Sequence, residues 1–195
     1  MACVVLVDSG GTNIGSVRFA LQRLGVEATL SSDAATIGAA THVILPGVGA
    51  AAPGMARLRE AGRGDVVRGL TQPVLGVCLG RQLLFEHSAE GDTACLGILP
   101  GRLAHFAQAL RVPHMGWNSL RVEARHPLLE GIASGEFAYF VHSYAAPLGD
   151  FTLASADYGG AFSAVVARGN FHGAQFHPER SAAVGARLLR NFIEL

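Results

Sequence analysis

Over roughly the first 90 residues, short apolar runs closed by glycine or proline alternate with stretches whose apolar positions recur every three or four residues. The run CVVLVD (Cys3 to Asp8) is β-branched and ends in SGGTNIG, after which Ile14, Val17, Ala20, Leu21 and Leu24 share one helical face. This pattern predicts a strand, a tight turn and a helix. VEATL (26–30), HVILPG (42–47) and PVLGVC (73–78) are further runs of strand length with helix-compatible sequence between them. Strands that are apolar throughout, separated by crossover segments, belong to a parallel sheet covered on both faces. The predicted fold class is therefore α/β, an open and mostly parallel sheet flanked by helices.

Beyond Gly91 the pattern changes. LGILPGRLAHF, FAYFVHSYAAP, FTLASADYG and FSAVVARGNFHGAQFH alternate or are rich in aromatics, and turn residues separate them, which predicts antiparallel strands and a β-rich second half. The final stretch, SAAVGARLLRNFIEL, places Val184, Leu188, Leu189 and Phe192 on one face of a closing helix. No internal repeat, low-complexity tract or linker divides the chain, so residues 1–195 read as one domain.

Composition narrows the function classes. Fifteen basic residues balance fifteen acidic ones. No net field then draws the protein to nucleic acid or to an anionic membrane, which leaves a small-molecule substrate or a protein partner. Three cysteines, Cys3, Cys78 and Cys95, are an odd number without paired metal-ligand spacing, and suit a reducing cytoplasm better than a disulfide framework. The longest uncharged stretch, 34–56, is broken by Pro46, Pro53 and glycines, and the start lacks a basic region before Asp8. A cytoplasmic protein without membrane helix or signal peptide is expected.

The chemistry concentrates in VLGVCLGRQLLFE (74–86). Gly76-x-Cys78-x-Gly80 stands where an apolar run gives way to a helical pattern. Flanking glycines permit the sharp strand-to-helix turn that thrusts a nucleophile outward, and the helix N-terminus favours thiolate over a thiol whose unperturbed pKa is about 8.5. Alone, Cys78 also reads as a small core residue, so the question is whether the chain supplies a base. GAQFHPERS does: His177 follows a strand-like run, and Glu179 lies two residues on, where an extended backbone would aim both side chains the same way. His114 and His142 are the strongest competing histidines. For the oxyanion of an attacked carbonyl, the N–H of Leu79 is one candidate donor and LPGVGA offers a second in Val48 or Gly49. DSGGTNIG lacks the spacing of a nucleotide-binding loop and reads as a tight turn between strand and helix.

Together, GVCLGRQLLFE, QFHPERS and LPGVGA resemble the class I glutamine amidotransferases, whose Cys-His-Glu triad releases ammonia from glutamine. VPHMGWNSL, YFVHSYAAP, GARLLRNFIEL and the opening VDSGGTNIGSVRFAL resemble one branch in particular, the glutaminase subunits of imidazole glycerol phosphate synthase, and the likeness runs nearly end to end. The resemblance implies Cys78 as nucleophile, His177 as base and acid, and Glu179 as orienter. It further implies Gln82, His142, Ser143 and Tyr144 as contacts to L-glutamine, with Gly49 lining the same pocket. Pro113, Met115, Trp117, Tyr139 and Arg180 correspond to positions facing a TIM-barrel cyclase subunit, the partner in a heterodimer that receives the ammonia. No cofactor or metal is implied.

Two positions depart from the family pattern. Arg81 stands where methionine is common, so either its charge points outward or the elbow helix packs differently. Arg180 stands where lysine is also common, which keeps the charge and changes its hydrogen-bonding fork. The proline and glycine framing PHMGWN predict a surface loop that exposes Trp117, an aromatic anchor suited to a partner. A glutaminase serving another synthase, a γ-glutamyl peptidase and a non-catalytic subunit are the competing readings.

Overall fold

The computed structural model of the chain describes residues 2–8, 14–60 and 62–195. Of the predicted turn SGGTNIG, residues 9–13 lie outside the described residues.

The main sheet runs, in spatial order, Ala28–Ser31, Val4–Val7, His42–Gly47, Val74–Cys78, Phe171–Ala174, Ala161–Arg168, Thr152–Asp157 and Arg121–Val122. The first five strands are mutually parallel and the last three pair antiparallel. Side-chain alternation sends Val4 and Leu6 into one core and Val5 and Val7 into the other, and all four are buried. That two-sided burial is why these runs are apolar throughout. Helices Ile14–Arg23 and Ala182–Ile193 cover one face through Val17, Leu21, Leu188 and Phe192. Helices Ala34–Ala39, Ala51–Glu60 and Arg63–Arg68 cover the other through Ile37, Met55, Leu58 and Val67. The α/β class with an antiparallel portion in the second half is as predicted.

Three local expectations are corrected. First, FSAVVARGNFHGAQFH does form an antiparallel hairpin, Ala161–Arg168 with Phe171–Ala174, but its second strand lies parallel to Val74–Cys78, with Gly173 opposite Gly76. The two textures of the sequence therefore fuse into one sheet, and the carboxyl ends of Val74–Cys78 and Phe171–Ala174 are neighbours. Second, the helix after Cys78 is only Leu79–Gln82, and Phe85–Ser88 is a strand. Leu83, Leu84 and Phe85 are all buried, so this stretch has no polar face to present as a longer amphipathic helix would. It joins a small sheet ordered Tyr144–Ala145, Leu99–His105, Phe85–Ser88, Thr93–Ala94. Third, PHMGWN is not a loop: His114–Ser119 is a strand paired antiparallel with Phe137–His142. Among the described residues no helix is long and apolar enough to cross a membrane.

Candidate active site

Cys78 ends its strand at φ 51°, ψ −110°, a positive φ that costs a non-glycine residue roughly 1–3 kcal/mol and is held by the surrounding packing. The flanking glycines explain what holds it. A Cβ at Gly76 would stand 2.6 Å from the Cα of Arg81, and one at Gly80 would collide with the carbonyl of Leu45, so only glycine lets the elbow close against the neighbouring strand. Cys78 itself is 7% exposed.

His177 lies just beyond Phe171–Ala174 and hydrogen-bonds Cys78. Its Nδ1 is 2.9 Å from Glu179 Oε1, and the two side chains are 8% and 1% exposed. The predicted Cys-His-Glu set is thus assembled, although not by the extended backbone expected: Pro178–Arg180 forms a 3-10 turn, and that turn folds Glu179 back under the imidazole. Burial alone would strip the His177 proton. The hydrogen bonds to Cys78 and Glu179, and the negative charge of both, outweigh it and raise the His177 pKa well above its usual value. The arrangement favours the imidazolium, which can give a proton beside Cys78 and, once neutral, take one back.

The competing histidines are bound up elsewhere. His142 Nδ1 is 2.8 Å from the carbonyl of Tyr144, which can only accept, so this nitrogen carries the proton. His142 Nε2 then accepts from His114 Nδ1 at 3.2 Å, and His114 Nε2 accepts from Asn118 Nδ2 at 3.3 Å. Burial pushes His142 down to about 3 and lowers His114 as well, so both rings stay neutral. They are a structural row, not bases for Cys78.

Cys78 and His177 open onto a cavity of about 260 Å³, which Leu79, Val48, Gly49, Gln82, His142, Ser143 and Tyr144 also line. Gln82 commits its amide nitrogen to the Tyr144 carbonyl at 3.1 Å and to Gln175 Oε1 at 3.1 Å, so its oxygen is the atom it can offer to a ligand. A larger hollow of about 790 Å³ beside His126 and Asn191 contains no cysteine and none of the predicted residues. Chemistry, not size, selects the Cys78 cavity. Among the described residues, no group of three or more His, Cys, Asp or Glu side chains is arranged to hold a metal ion.

Two residues of this region escaped the sequence reading. Glu90 lines the cavity and accepts the Ala51 N–H at 2.7 Å. Its only sequence signal was an acidic residue in a glycine turn, SAEGDT. Ser181 binds the His177 carbonyl at 2.7 Å and accepts the Tyr139 N–H at 2.9 Å, while the His177 N–H donates to the Tyr139 carbonyl at 2.9 Å. Of the two alternatives for Arg81, the outward one is excluded: the side chain points inward and is fully buried, with NH1 donating to Gln175 Oε1 at 2.9 Å and NH2 to the Ser163 carbonyl at 2.7 Å.

The expected partner positions sit on the outer face of the His114–Ser119 and Phe137–His142 ribbon. Met115 is 62% and Trp117 53% exposed, and Trp117 pairs with half-buried Tyr139 at 5.8 Å between rings. Phe137, not predicted, shares this face and is also exposed. Arg180 is exposed on the adjacent turn, whereas Pro113 lies at the rim and lines the cavity.

The family model described as glutamine amidotransferase class-I matches residues 5–195. The chain is 56% identical to the imidazole glycerol phosphate synthase subunit HisH of Xanthomonas euvesicatoria pv. vesicatoria over 197 aligned positions, covering 100% of this chain and 98% of the relative. The protein of the same name from Xylella fastidiosa is 55% identical with the same coverage. Among solved structures, one described as a glutamine amidotransferase superposes with a TM-score of 0.76 at 26% identity, covering 97% of both chains.

Proposed function

The chain belongs to the glutamine amidotransferase class-I family, and from that premise we propose that it is the glutaminase subunit of imidazole glycerol phosphate synthase, hydrolysing glutamine to glutamate and ammonia. One observation carries the assignment of roles. Cys78 on a strained elbow is hydrogen-bonded to a buried imidazole whose other nitrogen is held by Glu179 at 2.9 Å, and both face a cavity of about 260 Å³.

In the first half-reaction the Cys78 thiolate attacks the side-chain amide carbon of glutamine, and the electron pair displaced onto oxygen is met by the N–H of Leu79 and of Val48 or Gly49. His177 protonates the amide nitrogen, the C–N bond breaks, ammonia departs and a γ-glutamyl thioester remains. Water then gives a proton to His177 and attacks the thioester, the sulfur leaves as thiolate, and glutamate is released. Glu179 keeps the His177 tautomer and stabilises its cation. Gln82, Glu90, Ser143 and Tyr144 hold the amino-acid end of the substrate, and His142, with both nitrogens already bound, packs against it. We read residues 1–195 as a single glutaminase domain working in the cytoplasm without a cofactor.

The face carrying Met115, Trp117, Phe137 and Tyr139, with Arg180 beside it and Pro113 at the cavity rim, docks the TIM-barrel cyclase subunit. An exposed apolar cluster of this kind suits a protein partner. Ammonia passes to the cyclase by a shielded route, since in bulk water it would be protonated and lose its nucleophilic pair. There it is built into imidazole glycerol phosphate, with aminoimidazole carboxamide ribotide as the second product of this step of histidine biosynthesis. The test is glutamate release from glutamine by the chain alone, then with the cyclase subunit and its nucleotide ligand, with Cys78→Ala as control. Stimulated release that vanishes in Cys78→Ala is expected. No release despite a formed complex would overturn the catalytic reading.

A further inference from the structure

A fully buried arginine three residues from the nucleophile is an unusual feature, because a desolvated charge without a counter-ion is strongly destabilising. Among the described residues Arg81 makes no ion pair with a carboxylate. Its partners are neutral: Gln175 Oε1, the Ser163 carbonyl and the face of Phe85, 4.8 Å from the guanidinium carbon. The space is shaped for it, since a Cβ at Gly173 on the adjoining strand would strike Arg81 Cγ.

Gln175 connects this cation to the nucleophile. Its oxygen accepts from both Arg81 NH1 at 2.9 Å and Gln82 Nε2 at 3.1 Å, and Arg81 has donors only, so the amide is held with its nitrogen turned away from the arginine. That nitrogen faces Cys78 Sγ at 3.9 Å. We propose that Arg81 is a positioning residue that, through Gln175 and its own buried charge, adds to His177 in keeping the Cys78 sulfur ionised. The inference rests on the nucleophilic reading of Cys78.

Charge counting supports it. Glu179, His177, Cys78 and Arg81 alternate minus, plus, minus, plus, and with a thiolate at Cys78 the set sums to zero. With a neutral thiol, Arg81 would stand alone as a buried cation. The influence runs both ways: burial pulls the Arg81 guanidinium down to about 9, and the negative charge of Cys78 is what raises it. A cross-link that served the core alone would need neither the charge nor the orientation of Gln175.

The experiment measures the rate of Cys78 alkylation by iodoacetamide against pH, read on the peptide containing residue 78 because Cys3 is exposed and also reacts. Thiolate is the reacting form, so the midpoint of the profile reports its stability. In Arg81→Met the midpoint rises by at least about one unit, which slows alkylation about tenfold at pH values below both midpoints. In the presence of the cyclase subunit, kcat for glutamine falls by a similar factor at neutral pH and recovers as pH rises, while KM changes less than about threefold. Arg81→Lys, which retains the charge, stays within about half a unit of the wild-type midpoint. A folded Arg81→Met protein with an unmoved midpoint overturns the proposal. Where Arg81→Met does not fold, Gln175→Met decides: it removes the N–H that faces the sulfur and adds no charge, so the midpoint rises by about half a unit or more, and an unmoved midpoint overturns the idea. Absence of glutamate release from every form, with the midpoint shifts intact, would instead remove the glutaminase reading and leave the thiolate device standing.

Discussion

Replacing Glu179 by glutamine preserves the volume beneath His177 and removes one charge. In the structure that carboxylate lies 2.9 Å from Nδ1, and with side chains 8% and 1% exposed the pair is nearly closed off from water. A hydrogen bond to a charged group in such a setting contributes about 1.5–3 kcal/mol, against about 1 kcal/mol for the neutral bond an amide would retain. Losing the net attraction on top of that difference leaves the imidazolium about 2–3 kcal/mol less stable. If the full cation is present as ammonia departs, 1.36 kcal/mol per decade converts this to a kcat about 30- to 160-fold lower. Glu179 does not line the cavity, so KM for glutamine should change less than about threefold. The assay is steady-state glutamate release in the presence of the cyclase subunit, compared with Cys78→Ala as baseline. A fall in kcat smaller than about threefold, or a loss confined to KM, would refute the argument that Glu179 acts through the His177 cation.

Other outcomes follow from the same geometry. Gly80→Ala drives a methyl group into the Leu45 carbonyl, backbone against backbone with no rotamer to relieve it, and should cost about 3 kcal/mol, or roughly 6–12 °C in Tm; a Tm within 2 °C or so would show that the elbow tolerates a side chain. Trp117→Ala removes an exposed ring and should leave Tm unchanged while weakening cyclase binding by about 2 kcal/mol, about 30-fold in Kd by calorimetry; an unchanged Kd would exclude this face. Glu90→Gln should raise KM for glutamine about tenfold with little effect on kcat, because the cavity loses its acidic partner for the substrate ammonium; an effect on kcat alone would contradict that placement. Burial opposes the His177 proton, but Cys78 and Glu179 raise its pKa from 6.5 to about 10, so the stability it contributes is complete below about pH 6.5 and is lost as pH rises toward 10. His177→Asn should therefore lose less Tm than wild type between pH 6.5 and 10, and an identical alkaline loss in both proteins would dismiss this linkage.

What could be read in the sequence was local. The elbow was legible because Gly76, Cys78 and Gly80 are consecutive constraints on one turn, and His177 with Glu179 because two residues suffice to bring them together, even though a 3-10 turn rather than an extended backbone does it. Non-local features were hidden. Arg81 turns inward because Gly173 leaves room, and Phe171–Ala174 lies parallel to Val74–Cys78 with Gly173 opposite Gly76; neither contact is written near Arg81 itself. Glu90 reaches the cavity from a turn beside the small sheet, a placement that periodicity does not encode. The PHMGWN segment misled because proline and glycine signal turns, whereas here Gly116, at φ 138°, sits inside a strand opposite Phe140.

The row from Asn118 through His114 and His142 to the Tyr144 carbonyl has a direction. Every ring gives one proton forward and receives one from behind, and the sequence starts at an amide that can give and ends at an oxygen that can only take. Turning either imidazole over would set donor against donor or lone pair against lone pair somewhere along the line, so neither ring can flip alone. Residues 142–144 are thereby latched by a polarity that runs in from the opposite strand. This wall of the Cys78 cavity keeps its shape through acid conditions that would charge an ordinary histidine, since a proton on the Nε2 of either ring would break the hydrogen bond that nitrogen accepts, and burial holds His142 down to about 3.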